Sequence, residues 1–225
     1  MEISRPLRRN IYGKIIQLKG DQINYKGVEI DLSNEKIKSK LKGRFYLDEY
    51  ETAEIELIES KLPRDKPVIE LGGCIGVTSC KINEKLDKPQ EHIVLEANPS
   101  LIPSLRRNKK LNNSDFEIKN LAYHPYKENL SFNIHEKFFG GSIQRKTDKK
   151  IDIDSVSIKE ILEQKGWNEA VLICDIEGGE IGLLEKENEV IENRISAAVI
   201  EYHPFIDDSF HEKISNLDRE IITER

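Results

Sequence analysis

The stretch from residue 68 to residue 86 constrains the fold of this chain more than any other. Residues 68–71 are apolar except for Glu70, as in a short strand that is buried on both faces of a sheet. Glycines follow at positions 72, 73 and 76, and residues 77–86 have the apolar spacing of a helix. Glycine can adopt positive φ and brings no Cβ to a ligand, and a helix start presents unpaired N–H groups. The order strand, glycine turn, helix therefore predicts a cradle for a nucleotide-like ligand.

The spacing of the glycines separates two kinds of nucleotide ligand. Dinucleotide-binding folds use G-x-G-x-x-G, so that a pyrophosphate lies at the start of the helix. Here the pattern is Glu70-x-Gly72-x-x-x-Gly76, and Cys74 occupies the position of the middle glycine. The carboxylate of Glu70 disfavours a pyrophosphate and suits a ligand with an ammonium or sulfonium group; S-adenosylmethionine carries both. A plain strand-to-helix turn and a nicotinamide-dependent enzyme remain as alternatives.

A second acidic residue, Glu96, supports an adenosine-containing ligand. It ends the apolar segment 92–95 and lies 20 residues beyond Gly76. A parallel βαβ unit places such an acid at the carboxyl end of its second strand, within reach of a ribose. Because a carboxylate has two acceptor oxygens, it can bind both hydroxyls of the ribose diol.

Composition and charge exclude several classes of protein. The 225 residues have a net charge of −6, which argues against an extended surface for nucleic acid or for an anionic membrane. No apolar run reaches the roughly 18 residues of a membrane span, and the first residues lack the apolar core of a signal peptide. The three cysteines are odd in number and have no CxxC spacing, which indicates reduced thiols and a cytoplasmic protein.

The sequence predicts two regions, a small N-terminal appendage and a larger main domain. Residues 11–32 alternate apolar and polar side chains around turn sequences, which predicts strands at 11–18, 22–25 and 28–32 in a small antiparallel appendage. Residues 1–44 are assigned to this appendage and its linker, and residues 45–225 to the main domain. Helical segments are expected over 33–62, with a break near Gly43 and the better helix at 49–62.

The remainder of the chain alternates strands with helices. A helix is expected from Asn98 to Leu111, a third strand at 116–123, and another strand at 129–134 followed by a long loop at 135–150. Ser157 and Glu160 form a capping box, and further strands are expected at 170–175 and 195–202, with a closing helix at 208–222. This pattern predicts a doubly wound, mostly parallel α/β sheet, with ligands at the carboxyl ends of its strands. The residues expected at those ends are Glu70, Glu96, Asp175 and His203.

The motifs occur in the order seen in one family. The chain resembles the FkbM-type methyltransferases, which use S-adenosylmethionine and often methylate hydroxyls of sugars or natural products. The matching elements are Glu70-Leu-Gly-Gly-Cys-Ile-Gly76, Leu95-Glu-Ala-Asn-Pro99, Asn120-Leu-Ala122, Gly141-Ser-Ile143, Cys174-Asp-Ile-Glu-Gly-Gly-Glu180 and Glu201-Tyr-His-Pro204. The resemblance implies a Rossmann-like class I methyltransferase domain and an O-methyltransferase activity.

The resemblance also implies a role for each matched position. The donor would contact Glu70, Gly72, Gly73, Cys74, Gly76, Glu96, Ala97, Asn98, Asn120, Leu121 and Asp175. The acceptor would contact Glu180 and Ser142. We expect Asp175 to orient the acceptor and His203 or Glu177 to take its proton, as catalytic residues. A carboxylate-held metal at Asp175, Glu177 and Glu201 is an alternative that we do not favour.

Departures from the family leave alternatives open. The family usually has Asp-x-Gly-Ala-Asn where this chain has Glu70-Leu-Gly-Gly-Cys74, and a lysine where Ile173 stands. Family members usually continue with two strands beyond the fifth, so a shortened C-terminus is expected here. The exposed sheet edge would be covered by the N-terminal appendage or by a second copy in a homodimer. An RNA or protein methyltransferase and a degenerate nucleoside-binding module remain as alternatives to a small-molecule or glycan methyltransferase.

Overall fold

The computed structural model describes residues 4–126, 129–134, 141–142, 150–176, 180–201 and 221–222. The helices are α1 (Arg5–Leu18), α2 (Ser39–Tyr46), α3 (Thr52–Lys61), α4 (Val77–Lys85), α5 (Ile102–Leu111), α6 (Ile158–Lys165), α7 (Glu180–Lys186) and α8 (Asn188–Arg194). The strands are β1 (Gln22–Tyr25), β2 (Val28–Asp31), β3 (Val68–Leu71), β4 (His92–Leu95), β5 (Glu117–Lys119), β6 (Ala122–Tyr123), β7 (Asn129–Ile134), β8 (Gly141–Ser142), β9 (Lys150–Val156), β10 (Ala170–Cys174), β11 (Ile195–Ile200) and β12 (Ile221–Ile222).

A parallel sheet in the order β12-β11-β10-β3-β4-β5 forms the centre of the molecule. Strands β3, β4 and β10 are buried along their whole length, which explains their continuous apolar sequences. Apolar side chains of α6, α7 and α8 pack on one face of the sheet, and those of α3, α4 and α5 pack on the other. The predicted doubly wound α/β fold is confirmed.

The N-terminal region differs from the prediction in one element. The hairpin β1–β2 is antiparallel as expected, but residues 11–18, predicted as a strand, belong to helix α1. An ideal Cβ on Gly13 of α1 would lie 1.7 Å from the carbonyl oxygen of Ser39, and one on Gly43 of α2 would lie 1.8 Å from that of Arg9. Two glycines therefore let the helix backbones cross in close contact, and this tertiary contact decides the conformation.

The helix break predicted near residues 43–46 lies a few residues later, at 47–51. Helix α2 runs through Gly43, and the break comes after it, where Asp48 and Glu51 adopt φ values of 55° and 43°. The hairpin packs on α5: Asn112 Oδ1 accepts a hydrogen bond from the Glu29 amide at 2.8 Å, and Asn108 Oδ1 accepts one from the Asp31 amide at 2.7 Å. The N-terminal region thus lies against the helices beside β4 and β5.

Two further boundaries were predicted incorrectly. Helix α5 begins at Ile102 and not at Asn98, because the Asn98 side chain instead accepts hydrogen bonds from the amide and hydroxyl of Ser100. The strand predicted at 116–123 is divided: β5 belongs to the central sheet, and β6 belongs to a second sheet in the order β6-β9-β7-β8. Strand β9 follows the segment that was predicted as a loop and pairs with β7 in antiparallel fashion.

The edge of the central sheet is covered by the chain itself. Strand β12 pairs in parallel with β11 through Ala198 and Val199, so residues 221–222 are a strand and not the end of a closing helix. The rest of that predicted helix lies outside the described residues. Among the described residues, the strands of the N-terminal hairpin pair with each other and not with β11, so the expectation that the hairpin covers this edge is wrong. Among the helices that the structure describes, none combines the length and apolar character needed to cross a bilayer.

Candidate active site

The carboxyl ends of β3, β4 and β10 meet at one edge of the central sheet. Strand β3 lies between β4 and β10, and the glycine loop follows it directly. The amides of Gly72 and Gly73 both donate to the carbonyl of Leu95 at 2.9 Å, and the Asp175 amide donates to the carbonyl of Leu71 at 3.0 Å. These hydrogen bonds hold the loop against the neighbouring strand ends, where an α/β sheet binds its ligands.

Gly72 has a packing role that the sequence did not indicate. Its φ is 96°, and an ideal Cβ would lie 2.0 Å from the carbonyl oxygen of Asp175. The space that was expected to admit a ligand is therefore occupied by the backbone that follows β10. The side chains of Val94 and Leu105 likewise lie at the positions where Gly73 and Gly76 would carry a Cβ.

Glu70 is buried at the base of the loop and is 2% exposed. Its Oε1 accepts a hydrogen bond from the Ser79 hydroxyl at 2.7 Å, and its Oε2 lies 2.9 Å from Nε2 of the fully buried His92. Both carboxylate oxygens thus have partners within the protein. These contacts join Glu70 to β4 and α4, and its predicted contact with the amino end of the ligand stays a prediction.

Glu96 lies at the end of β4, as the sequence predicted. Its Oε2 accepts from the Cys74 amide at 2.7 Å and its Oε1 from the Asn98 amide at 2.6 Å. Burial raises the pKa of Glu96 to about 7, although these two hydrogen bonds act to lower it. Each carboxylate oxygen retains acceptor capacity after one hydrogen bond, so Glu96 can still bind hydroxyl donors.

The other residues expected near an adenosine lie beside Glu96. The Asn120 side chain donates to the carbonyl of Glu96 at 2.7 Å and to that of Ala97 at 3.2 Å. This contact places Asn120 and Leu121 next to Ala97 and Asn98. The contact also fixes the point at which the chain leaves β5 for the second sheet.

An acidic pocket opens between the start of α3 and the glycine loop. Sequence reasoning missed the wall formed by Tyr50, Glu51, Glu54 and Thr78. The Thr78 hydroxyl lies 3.1 Å from a carboxylate oxygen of Glu51 and 3.1 Å from one of Glu54. The signal in the sequence is the pair of acids three residues apart at the start of the helix that precedes β3. The lining residues are Tyr50, Glu51, Glu54, Glu70, Leu71, Gly72, Gly73, Cys74, Val77, Thr78, Ile173 and Asp175.

The carboxylates of this pocket repel one another. Burial raises the pKa of Glu51 to about 7, and the negative charge of Glu201 adds to the rise. Burial, followed by the charges of Glu51 and Asp175, raises the pKa of Glu54 well above its usual range. Burial also raises the pKa of the Cys74 thiol well above its usual range, so Cys74 is not an activated nucleophile. The pocket therefore favours a positively charged ligand group.

Comparison with known protein families agrees with this arrangement. A model of the FkbM methyltransferase domain matches residues 70–223, which is most of the chain. The chain belongs to the FkbM methyltransferase family. A search of curated proteins finds no match. The family match covers the glycine loop, Glu96 and Asp175, whereas Glu51 and Glu54 precede it.

Some predicted site residues of this FkbM methyltransferase cannot be compared with the structure. Glu177 and His203 lie outside the described residues. Glu180 begins α7 and Ser142 ends β8, and their predicted contacts with the acceptor stay predictions. Within the described ranges, no group of three or more His, Cys, Asp or Glu side chains has a geometry that could hold a metal ion.

The raised pKa of Glu51 predicts an unusual dependence of stability on pH. Because the pKa is about 7 in the folded protein and 4.5 ordinarily, the folded state binds more protons between these values. The contribution of Glu51 to the free energy of unfolding is thus largest below about pH 4.5 and is lost as pH rises through about 7. The loss is up to about 3 kcal/mol.

We therefore expect Glu51→Gln to gain stability relative to the unsubstituted protein as the pH rises from 5 to 8. Urea unfolding of both proteins across this range measures the difference. Glu29→Gln, on the exposed side of the hairpin, is the control and should show no such trend. A difference between Glu51→Gln and the unsubstituted protein that stays constant with pH would contradict the assignment.

Proposed function

We propose that this FkbM methyltransferase transfers a methyl group from S-adenosylmethionine to a hydroxyl of a sugar or another small molecule. The observation that carries the proposal is the acidic pocket at the glycine loop, with Glu96 at the end of the neighbouring strand. The donor joins an ammonium and a sulfonium group to a ribose; the acidic pocket would complement the positive groups, and Glu96 would complement the ribose.

The charges of the pocket residues suit the positively charged groups of the donor. Glu51 and Glu54 would face its positively charged groups, a role that the sequence assigned to Glu70. The Glu70 carboxylate is already bonded to Ser79 and His92. Glu96 would accept hydrogen bonds from the ribose hydroxyls, and the backbone around Ala97, Asn98, Asn120 and Leu121 would border the adenine.

Methyl transfer to an alcohol also needs an oriented acceptor and a proton acceptor. When bound, S-adenosylmethionine supplies a methyl carbon activated by its sulfonium. Asp175 borders the pocket at the end of β10 and would orient the acceptor hydroxyl, with Glu180 and Ser142 as further predicted contacts. His203 or Glu177 would take the hydroxyl proton. A positioned base contributes about 10²- to 10⁴-fold to the rate.

The nicotinamide alternative is less consistent with the pocket. A pyrophosphate carries negative charge and would lie beside Glu51, Glu54 and Asp175. The repulsion between these charges would oppose binding in a poorly solvated site. A degenerate nucleoside-binding module remains as the non-enzymatic alternative, and it would bind the donor without turnover.

Calorimetry distinguishes these functions. We expect S-adenosylmethionine and S-adenosylhomocysteine to bind and NAD not to bind. Binding of NAD in place of the other two would overturn the proposal. A turnover assay with a panel of sugars and other alcohols, which measures the S-adenosylhomocysteine released, distinguishes an enzyme from a binding module.

Glu96→Ala should weaken binding of S-adenosylmethionine by about 10- to 150-fold, because a charge-assisted hydrogen bond contributes roughly 1.5–3 kcal/mol. Glu91→Ala is the matched control: Glu91 lies just before β4, at the opposite end of the strand, and should leave the Kd unchanged. An unchanged Kd in Glu96→Ala, with a normal unfolding transition, would refute the role of Glu96.

The location, the acceptor class and the oligomeric state of the protein remain predictions. We propose a cytoplasmic enzyme in which residues 45–225 form the methyltransferase domain, with a small-molecule or glycan acceptor and no nucleic-acid partner. A homodimer is proposed as the oligomeric state, and sedimentation equilibrium would test it.

A further inference from the structure

Helix α1 exposes a row of large aliphatic side chains. Leu7, Ile11 and Leu18 are 52%, 42% and 88% exposed. They occupy positions i, i+4 and i+11, which lie within about 40° of one another around a helix of 3.6 residues per turn. The outward face of α1 therefore carries three large aliphatic side chains, with Lys14 on the same face between Ile11 and Leu18. A surface helix of a soluble domain normally carries polar residues on such a face.

The orientation of this row is fixed by the opposite face of the helix. Gly13 and Ile16 are the buried residues of α1, and Gly13 lies against the backbone of Ser39. The ring of Tyr12 stacks on that of Tyr46 with a centroid distance of 4.3 Å. Because these contacts hold one side of α1 on α2, the row of Leu7, Ile11 and Leu18 is presented outward.

Three exposed basic residues accompany the row: Lys14 lies within it, and Arg8 and Lys19 lie along one side of it. Arg8, Lys14 and Lys19 are exposed and have no ion-pair partner in the part of the chain that the structure describes. Residues 5–19 hold five of the 35 basic residues and none of the 41 acidic ones. Of these five, Arg5 and Arg9 bond to Glu49. A positive surface thus lies around the apolar row in a chain whose net charge is −6.

We propose that α1 docks on an anionic lipid membrane surface. Leu7, Ile11 and Leu18 would enter the boundary between headgroups and acyl chains, and Arg8, Lys14 and Lys19 would lie at the lipid phosphates. Exposed apolar side chains together with unpaired basic side chains on one helix are the combination by which interfacial helices bind anionic bilayers. The helix lies in the membrane surface and does not cross it. This inference does not depend on the proposed methyl transfer.

Flotation of the full chain with lipid vesicles tests the proposal. We expect binding to vesicles of equimolar phosphatidylcholine and phosphatidylglycerol, weaker binding at high salt, and little binding to phosphatidylcholine alone. The triple variant Leu7→Gln, Ile11→Gln, Leu18→Gln should lower the partition coefficient by about tenfold or more. The charge variant Arg8→Glu, Lys14→Glu, Lys19→Glu should lower it at least as much.

The control is Leu111→Gln, which changes a 40% exposed leucine on α5 and should bind the vesicles as the unsubstituted protein does. All substituted side chains are exposed, and thermal unfolding checks that each variant is folded. Failure to bind phosphatidylglycerol vesicles at low salt would overturn the proposal. Undiminished binding by either multiple variant would also overturn it. Self-association that depends on Leu7, Ile11 and Leu18, without vesicle binding, would identify a second copy of the chain as the occupant instead.

Discussion

Gly72→Ala is expected to lower the free energy of unfolding by more than about 3 kcal/mol. Two costs add at this position. A non-glycine residue at φ 96° is strained by roughly 1–2 kcal/mol, and the new Cβ would lie 2.0 Å from the carbonyl oxygen of Asp175. The contacting atom belongs to the backbone at the end of β10, so relief of the clash requires a shift of the β3–β10 junction.

Gly166→Ala is the matched control for this experiment. Gly166 ends α6 with φ 66°, and an added Cβ would have no neighbour within 4 Å. Gly166→Ala therefore introduces the backbone strain without the steric clash. It should lower the free energy of unfolding by about 1 kcal/mol. Urea unfolding of both variants gives the comparison. Equal losses in the two variants would show that the contact with Asp175 is not a constraint.

Asp175→Asn is expected to lower kcat by about 100-fold or more and to change the Kd of the methyl donor by less than about threefold. The substitution keeps the shape of the side chain and removes its charge at the pocket wall. Turnover is measured as S-adenosylhomocysteine released with an acceptor from the alcohol panel, and the Kd by calorimetry. Asp154→Asn, exposed on β9, is the control and should leave both unchanged. Equal effects on kcat and on donor binding would assign Asp175 to the donor alone.

The same assay examines the expected proton acceptor, His203. If His203 takes the proton of the acceptor, His203→Ala should remove the acidic limb of the pH profile of kcat. Burial raises the pKa of Glu51 to about 7, so if Glu51 faces the donor as proposed, its titration should be visible in kcat/KM. If His203→Ala keeps the acidic limb and lowers kcat by less than about threefold, His203 is not the base. Positioning of the donor and the acceptor would then account for the rate of methyl transfer.

The central strands and the position of Glu96 could be predicted from the sequence because their signals are local. Strands β3, β4 and β10 are continuous apolar runs, which is the pattern of strands buried on both faces. Glu96 follows β4 at the distance from the glycine turn that a parallel βαβ unit requires. The capping box of Ser157 and Glu160, which the structure confirms, is likewise a signal within four residues.

Helix α1 was missed because its apolar residues fit two periods. Residues 11, 12, 15, 16 and 18 can be read as a broken alternation or as one side of a helix. The choice depends on the close crossing of Gly13 with α2, and a contact between elements leaves no local pattern. Strand β9 did carry an alternation, with Ile151 and Ile153 on one face, whereas β12 has only two residues and no detectable signal.

The roles of the acids illustrate a second limit. Position along a strand places Glu70 near the pocket, but the direction of its carboxylate depends on partners from other elements, His92 and Ser79. Glu51 and Glu54 come from a helix before the motif and reach the pocket only through packing of α3 beside α4. Sequence spacing therefore predicted which edge of the sheet holds the site. It did not predict that residues of α3 form part of the pocket wall.

The pairing of β3 with β10 has a consequence for how the molecule reaches its native state. Ile69 and Leu172, which are partners in the sheet, are separated by roughly a hundred residues of chain. Closing so long a loop is entropically costly, and contacts of high sequence separation slow folding. During synthesis, the hairpin and the β3–β4 unit can form well before β10 has emerged. Since Asp175 reaches the pocket only when β10 pairs with β3, recovery of donor binding during refolding should coincide with the slowest phase of sheet assembly.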